Sequence, residues 1–417
     1  MHHFQYVDGL LHAENVPVTR LIETHGTPLY VYSAATFTRH FQAFDSAFEG
    51  VDHLTCYSVK ANSNLSVLKL LASLGAGMDI VSGGELFRAL KAGVDPAKIV
   101  YSGVGKKPEE IRQALQAGIL MFNVESEQEL EVINTTAVDM GAVAKISLRI
   151  NPDVDPQTHP YISTGLKKNK FGLDLEASLR TYARAVELAG IEPVGIDCHI
   201  GSQLTSIAPF MEALDKVMAF HTKLTDLGVR IKYLDLGGGL GITYNEEEPP
   251  HPAAFGKAVS DVIQGTGLKL ILEPGRVIAG NSGILLTRVT YTKESPSKKF
   301  LIVDAAMNDL VRPSLYGSFH RIAEVEPKGR PIADVDVVGP ICESGDFLAR
   351  DREMPGVEAG EYLAVFSAGA YGFTMSSQYN SRCRAAEVMV DGDTVITARK
   401  RETYEDLVAL ELEGMGA

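Results

Sequence analysis

The sequence predicts a (β/α)8 barrel joined to a discontinuous all-β domain. Eight short apolar, β-branched runs recur near residues 54–59, 78–81, 99–102, 120–124, 145–150, 194–200, 232–236 and 270–273, with segments of helical periodicity between them. After about residue 280 that alternation stops, and short strands follow one another with turn signals between them. The length of 417 residues agrees, since about 100–200 residues per domain leaves room for two or three.

Taken in chain order, the first 30 residues carry an Asp8-Gly9 turn between short apolar pieces and resemble the C-terminal part more than the barrel. The stretch AATFTRHFQAFDSAF supplies a helix before the first barrel strand. The eight runs are almost continuously apolar, which is how strands buried on both faces read. The intervening NLSVLKLLASLG, GELFRALKAG, KPEEIRQALQAG and SEQELEVINTTAVDMG each close on a glycine, at Gly75, Gly93, Gly118 and Gly141. A left-handed helix C-cap favours that residue. Seven inter-strand helices and the leading one match the strands one for one. A doubly wound open sheet shares this alternation, and periodicity alone does not separate the two. Beyond it, ILLTRVTYT, KKFLIVDAA, ADVDVVG, EYLAVFS and the hairpin EVMVDGDTVITAR, turning at Asp391-Gly392, read as antiparallel strands. The expected division is a barrel over 30–280 and a β-domain from 1–29 and 281–417.

The formal charge of −14 is spread along the chain, which argues against nucleic acid or an anionic membrane as partner. No signal peptide is visible in MHHFQYVDGL, and no run of about 18 apolar residues suggests a membrane span. Cys56, Cys198, Cys342 and Cys383 lie far apart, with no CxxC spacing that would indicate a metal site. The expectation is a cytoplasmic protein.

Functional residues of such barrels sit at the C-terminal ends of the strands. Lys60 follows the first strand in CYSVKAN. Asp79 lies in the second, with Ser82, Gly83, Gly84 and Glu85 after it. Arg149 and Asn151 end the fifth, and His199, Gly201 and Ser202 the sixth. Gly237, Gly238 and Gly239 follow the seventh, and Glu273, Gly275 and Arg276 the eighth. Bare backbone amides in LDLGGGLG, with EPGR after the next strand, suit a phosphate. A phosphate site, a lysine and a carboxylate at one mouth suggest pyridoxal phosphate, whose aldehyde a lysine captures as a Schiff base. Glu273 then favours the protonated pyridine nitrogen. His199 is a candidate to lie against the ring, although a lone histidine is more often a satisfied core residue.

These segments, together with DIVSGGEL, LRINP, THPYISTG, KFG, DCHIGSQ, VDAAMNDLVRPSLY, GPICESGD and GAYG, resemble the motifs of the diaminopimelate decarboxylase family, in family order from about residue 56 to 372. The resemblance implies a pyridoxal 5′-phosphate enzyme that decarboxylates meso-2,6-diaminopimelate to L-lysine, the last step of lysine biosynthesis. It implies that Lys60 holds the cofactor, Glu273 pairs with its ring nitrogen and His199 stacks on it. Ser202, Gly239, Gly275 and Arg276 are implied at the phosphate, with Asp79, Arg149, Gly238 and Tyr371 also around the cofactor. Arg276, Arg312 and Tyr316 are implied at substrate carboxylate, Glu343 at the substrate amine, Tyr371 at both ligands and Cys342 as proton donor. Cys342 and Glu343 are implied to reach the second subunit's site in a homodimer.

By itself Cys342 reads as a small buried hydrophobe, and Arg312 as a surface residue. A guanidinium nevertheless suits a substrate that ends in a carboxylate, whereas ornithine ends in an ammonium that prefers an acidic partner. The alternatives are an ornithine, arginine or broad-range decarboxylase, an amino-acid racemase, and a non-catalytic cofactor-binding homologue. The loop 151–173, with Thr158, His159 and Tyr161, is a candidate cover for the site.

Overall fold

The computed structural model of the chain describes residues 2–155 and 170–416. They form two compact units: one from 1–39, 244–246 and 279–417, the other from 40–243 and 247–278. The chain opens with β1 (Phe4–Val7), β2 (Leu10–Ala13), β3 (Val16–Pro17), α1 (Val18–His25), β4 (Leu29–Ser33) and α2 (Ala34–Asp45). Strands and helices then alternate through β5 (His53–Ser58), α3 (Leu65–Ser73), β6 (Gly77–Ile80), α4 (Gly83–Lys91), β7 (Ile99–Tyr101), α5 (Pro108–Ala117) and β8 (Met121–Val124). The series continues with α6 (Glu127–Asp139), β9 (Ala144–Arg149), α7 (Leu175–Glu187), β10 (Ile191–Asp197), α8 (Ala208–Asp226), β11 (Tyr233–Asp235), α9 (Pro252–Ile263) and β12 (Lys269–Leu272).

Strands β5 to β12 are parallel throughout, and β12 pairs with β5 through Leu270↔His53, Ile271↔Leu54 and Leu272↔Thr55. That last pairing closes the barrel and excludes the open sheet. Local chemistry sets the helix ends. Asn64, Ser82, Ser126 and Asp174 accept backbone N–H groups of the first turn, and Gly75, Gly93, Gly118 and Gly141 take φ between +63° and +98° just past the last. The pairing of β9 with β10 slips between Pro193 and Gly195, where proline has no N–H to give. Tyr182 of α7 covers the gap. Its buried hydroxyl donates to the Gly195 carbonyl at 2.6 Å and accepts from the Leu148 amide at 3.3 Å.

The other unit continues through α10 (Arg276–Ala279), β13 (Gly283–Glu294), β14 (Lys299–Val303), α11 (Arg312–Tyr316), β15 (Ile322–Glu324), β16 (Ile332–Val338), β17 (Phe347–Pro355), β18 (Tyr362–Val365), β19 (Ala386–Asp391), β20 (Thr394–Arg399) and α12 (Tyr404–Met415). The first two residues of α10, Arg276 and Val277, with Ile278, still belong to the barrel unit. The long β13 pairs with β4, β14 and β18 and forms the spine of a nine-stranded sheet. The N-terminal meander turns at Asp8-Gly9, both with positive φ, and contributes Phe4, Leu11 and Val16 to a core shared with Leu286, Phe366 and Val388.

Three expectations change. The sheet is mixed, because β14 runs parallel to β16 and β4 parallel to β19. Neither pair is joined by a hairpin, so nothing forces reversal; α11 and β15 intervene in one case and most of the chain in the other. The expected barrel began at residue 30, with no strand read there; β4 occupies that stretch and lies between β13 and β19, and the barrel unit begins at His40. Its run LYVYS is wholly buried and reads like any strand covered on both faces. The late hairpin pairs Asp391 with Thr394, so its central residues are Gly392-Asp393. Strand β17 and helix α12 had no strong sequence signal, and α12 has no buried residue to give it a periodic face. Among the described residues no helix is long and apolar enough to cross a membrane.

Replacing Tyr182 by phenylalanine leaves a buried carbonyl and a buried amide without this partner. Urea unfolding is expected to show a loss of about 1–3 kcal/mol; an unchanged midpoint would mean that another group covers the bulge.

Candidate active site

Barrel closure collects polar side chains at the C-terminal ends of the strands. Ser58, Asp79, Ser102, Asn123, Ser147, Asp197, Asp235 and Glu273 come from or directly follow β5 to β12 in turn, and all are buried. Asn123 is the centre of their bonding. Its amide nitrogen lies 3.0 Å from Ser102 Oγ, 3.1 Å from Asp235 Oδ2 and 3.2 Å from Glu273 Oε1, while its amide oxygen accepts from Ser147 Oγ at 2.6 Å. Ser102 also donates to Glu273 Oε1 at 3.1 Å. The carboxyl group of Glu273 is thus fixed by neutral donors from the facing strands β7 and β8.

Lys60 sits on the short 3-10 turn Val59–Ala61 that ends β5. Its Nζ lies 2.7 Å from Asp79 Oδ2. The hydroxyl of Ser58 is 2.7 Å from the same oxygen and 2.9 Å from the Glu273 carbonyl, linking neighbouring strands β5, β6 and β12. The lysine side chain remains partly accessible, whereas Asp79 is sealed.

The glycine triplet is a packing requirement as well as a loop. A Cβ on Gly237 would stand 2.6 Å from His199 Nδ1, on Gly238 2.1 Å from the Glu273 carbonyl oxygen, and on Gly239 2.4 Å from the Gly201 carbonyl oxygen. Two of its amides have protein acceptors: Gly237 donates to Asp235 Oδ1 and Gly238 to His199 Nδ1, at 2.9 and 3.2 Å. Gly238, read from the sequence as part of a triplet suited to a phosphate, here orients the histidine. Accepting at Nδ1 makes His199 neutral with its proton on Nε2. Burial agrees, since it holds the imidazole well below its ordinary range, helped by the Arg149 and Lys60 charges. Arg276, directly after Gly275, donates to Ser202 Oγ at 3.0 Å. Arg149 pairs with Glu125 Oε1 at 3.1 Å, and its guanidinium lies over the Phe171 ring.

Carboxyl groups outnumber cations at this mouth. Asp79, Glu125, Asp197, Asp235 and Glu273 are buried, against Lys60, Arg149 and Arg276 as the cations among these strand-end residues. Burial pushes Glu273 well above the ordinary carboxylate range, with Asp235, Asp79 and Asp197 adding to it and Lys60 opposing. Asp235 is pushed up to about 6, again chiefly by burial. One oxygen of Asp79 and one of Asp197 make no hydrogen bond among the described residues. A cationic ring suits a site that is short of positive charge and holds a carboxyl group ready to partner it. The residues present fit pyridoxal phosphate.

In the other unit, Arg312 of α11 is buried between the rings of Tyr244 and Tyr316, 4.9 and 5.8 Å from their centroids. Its neutral partners include Ser318 Oγ and His320 Nε2. Cys342 and Glu343 are exposed on a loop that Asp346 ties down by accepting from the Ile341 and Met307 amides, both at 2.7 Å. Gly339 is needed there, because a Cβ would lie 2.5 Å from Asp346 Oδ2. Tyr371 holds a left-handed backbone, φ +55°.

The structure therefore brings together Lys60, Asp79, Arg149, His199, Ser202, Gly238, Gly239, Glu273, Gly275 and Arg276 at strand ends of the barrel unit, and puts Arg312, Tyr316, Cys342, Glu343 and Tyr371 on the β unit. Sequence reading missed Ser58, Ser102, Asn123, Glu125, Ser147, Asp197 and Asp235. A polar residue inside an apolar run, as in MFNV, was the available signal. Thr158, His159 and Tyr161, expected in a covering loop, lie outside the described residues.

Comparison with known proteins agrees with this geometry. Residues 34–280 match the family model for the pyridoxal-dependent decarboxylase, pyridoxal binding domain. The diaminopimelate decarboxylase of Pseudomonas aeruginosa is 53% identical, covering 98% of both chains, and that of Aquifex aeolicus is 53% identical over 99% of this chain and 98% of its own. The crystal structure of diaminopimelate decarboxylase from Helicobacter pylori complexed with L-lysine superposes with a TM-score of 0.92 at 46% identity, covering 95% of this chain and 100% of that one.

The folded chain holds the Glu273 proton above the ordinary 4.5, so the unfolded chain ionises first as pH rises and the folded form keeps the extra proton. Stability from this group is then complete at low pH and lost as pH rises. In cofactor-free protein, the stability of wild type relative to Glu273→Gln is expected to fall as pH rises above the ordinary carboxylate range. A pH-independent difference in urea unfolding would contradict this.

Proposed function

The chain belongs to the diaminopimelate decarboxylase family of pyridoxal-dependent decarboxylases, and on that premise we propose how its residues divide the reaction. It is a carboxy-lyase that converts diaminopimelate to L-lysine and carbon dioxide with pyridoxal 5′-phosphate as cofactor. The bound cofactor supplies an electron-accepting ring for the pair left on the substrate α-carbon when carbon dioxide departs.

Lys60 would hold the cofactor through Nζ. Asp79, 2.7 Å from that nitrogen, is the nearby carboxylate that can accept a proton when the amine must be neutral. Glu273, whose carboxyl group Ser102 and Asn123 hold from β7 and β8, would stand at the ring nitrogen and favour its protonated form. His199 offers a neutral face to a cationic ring and so adds no repulsion. Gly239, Ser202, Gly275 and Arg276 take the phosphate, with Gly238 acting through His199. The observation that carries this reading is Ser58 joining the Lys60–Asp79 pair to the Glu273 backbone, so that amine and acid come from adjacent strands.

Arg312, Arg276 and Tyr316 grip substrate carboxylate, Glu343 the substrate amine, and Tyr371 both ligands. Cys342 returns a proton to the α-carbon from its thiol, and the α-carbon keeps the electron pair that carbon dioxide left behind. The aromatic and neutral surroundings of Arg312 favour a substrate ending in a carboxylate over one ending in an ammonium. The exposure of Cys342 and Glu343 supports their use by a second copy of the chain in a homodimer. A cytoplasmic location remains part of this reading, and the four free cysteines are compatible with it.

A panel of meso-diaminopimelate, ornithine, arginine and lysine, with added cofactor and carbon dioxide as readout, tests the substrate. Preference for diaminopimelate by about a hundredfold or more in kcat/KM is expected, and faster release from ornithine would replace this reading. Lys60→Ala is expected to lose turnover by at least about a thousandfold and Cys342→Ala by about ten- to a hundredfold in kcat. Retained activity in either variant would remove that residue's role.

A further inference from the structure

We infer that Tyr379 and Asn380 form a clasp that positions the Cys342–Glu343 pair for the reaction. The inference rests on the reading of Cys342 as proton donor and adds two positioning residues to it. Two consecutive residues of one turn hold two consecutive residues of another. Asn380 Oδ1 accepts from the Cys342 amide at 2.8 Å, and Tyr379 Oη donates to Glu343 Oε2 at 2.8 Å. The first contact fixes the backbone that carries the thiol, and the second fixes the carboxylate beside it.

The backbone of the turn favours the same conclusion. Asn380 and Ser381 both lie in the left-handed region, at φ +56° and +55°, and neither is glycine. Consecutive left-handed residues with side chains are strained, and asparagine is among the few that tolerate the region. In this bent form the Asn380 side chain reaches the Cys342 amide. The turn has its own support: Ser381 donates its amide to the Gln378 carbonyl at 2.8 Å, and Gln378 Nε2 donates to Glu402 Oε2 at 3.1 Å. On the other side of the loop, Asp346 holds the Ile341 amide and Ser314 Oγ donates to the Gly345 carbonyl at 2.6 Å. The loop is therefore anchored at Ile341 and Gly345, and the clasp fixes the reactive residues between those anchors. Both reactive side chains are exposed, so no packing does this in the clasp's place.

The test uses the cofactor-loaded enzyme. Asn380→Gly keeps a residue suited to left-handed backbone and removes the acceptor, Asn380→Asp keeps both, Tyr379→Phe removes only the hydroxyl, and Cys342→Ala is the reference. Two quantities are read: steady-state kinetics, and the rate at which iodoacetamide alkylates Cys342, followed by peptide mass spectrometry. Asn380→Gly is expected to lower kcat about tenfold or more with a smaller change in KM, and to alter the alkylation rate by more than about threefold. Asn380→Asp is expected to stay within about threefold of wild type on both counts, and Tyr379→Phe to raise KM by about three- to tenfold. Wild-type turnover and alkylation in Asn380→Gly would show that asparagine serves only its own backbone and would overturn the clasp. Asn380→Asp as impaired as Asn380→Gly would also overturn it. Should Cys342→Ala turn over normally, the proton-donor reading fails separately. Alkylation then decides the clasp, altered in Asn380→Gly if it exists and unaltered if it does not.

Discussion

Closing β12 onto β5 forces the ends of eight parallel strands into one ring, and the side chains at those ends are buried. Each must find its partner on another strand. Ser58 reaches Asp79 and the Glu273 backbone; Asn123 reaches Ser102, Ser147, Asp235 and Glu273. An unpartnered buried polar group is costly, and a half-satisfied network costs more than an apolar one. Strand register, including the Pro193 bulge that Tyr182 covers, therefore determines which carboxyl group faces which donor. The acid excess left over at the mouth suits a cationic cofactor.

The β unit meets a different requirement, to hold the exposed Cys342 and Glu343 still without burying them. Asp346 does part of this from beneath the loop, and it approaches so closely that position 339 admits only glycine. Charged and polar groups on a surface loop otherwise lose more to side-chain freedom than a single hydrogen bond returns. Several bonds along one short segment divide that cost among them. Arg312 is held differently, buried between aromatic faces whose attraction for a cation survives desolvation.

Legibility in the sequence followed the local content of each signal. Lys60 and Glu273 could be read because each follows an apolar run that fixes where a strand ends. The four glycines after barrel helices were readable as C-caps because a positive φ leaves few other choices. Asn123 was not readable, since one polar residue in MFNV has no meaning until β7, β9, β11 and β12 supply its neighbours. The glycine triplet was readable as a phosphate cradle, and only the folded chain shows His199 as the acceptor of the Gly238 amide. Strand β4 was not read at all, because its wholly buried LYVYS shows no alternation to assign it to either sheet.

By itself the sequence determined the alternation of strands and helices, the caps that bound them, the strand-end positions of the reactive residues and the resemblance that named their chemistry. These depend on backbone preference and hydrophobic period, which act over a few residues. The tertiary structure decided that the alternation closes into a barrel, that the second sheet is mixed, which donors fix Glu273, and that Tyr379 and Asn380 reach Cys342 and Glu343. Those contacts join residues far apart in the chain. Their energy depends on distance and on exclusion of water, neither of which is defined until the strands pair.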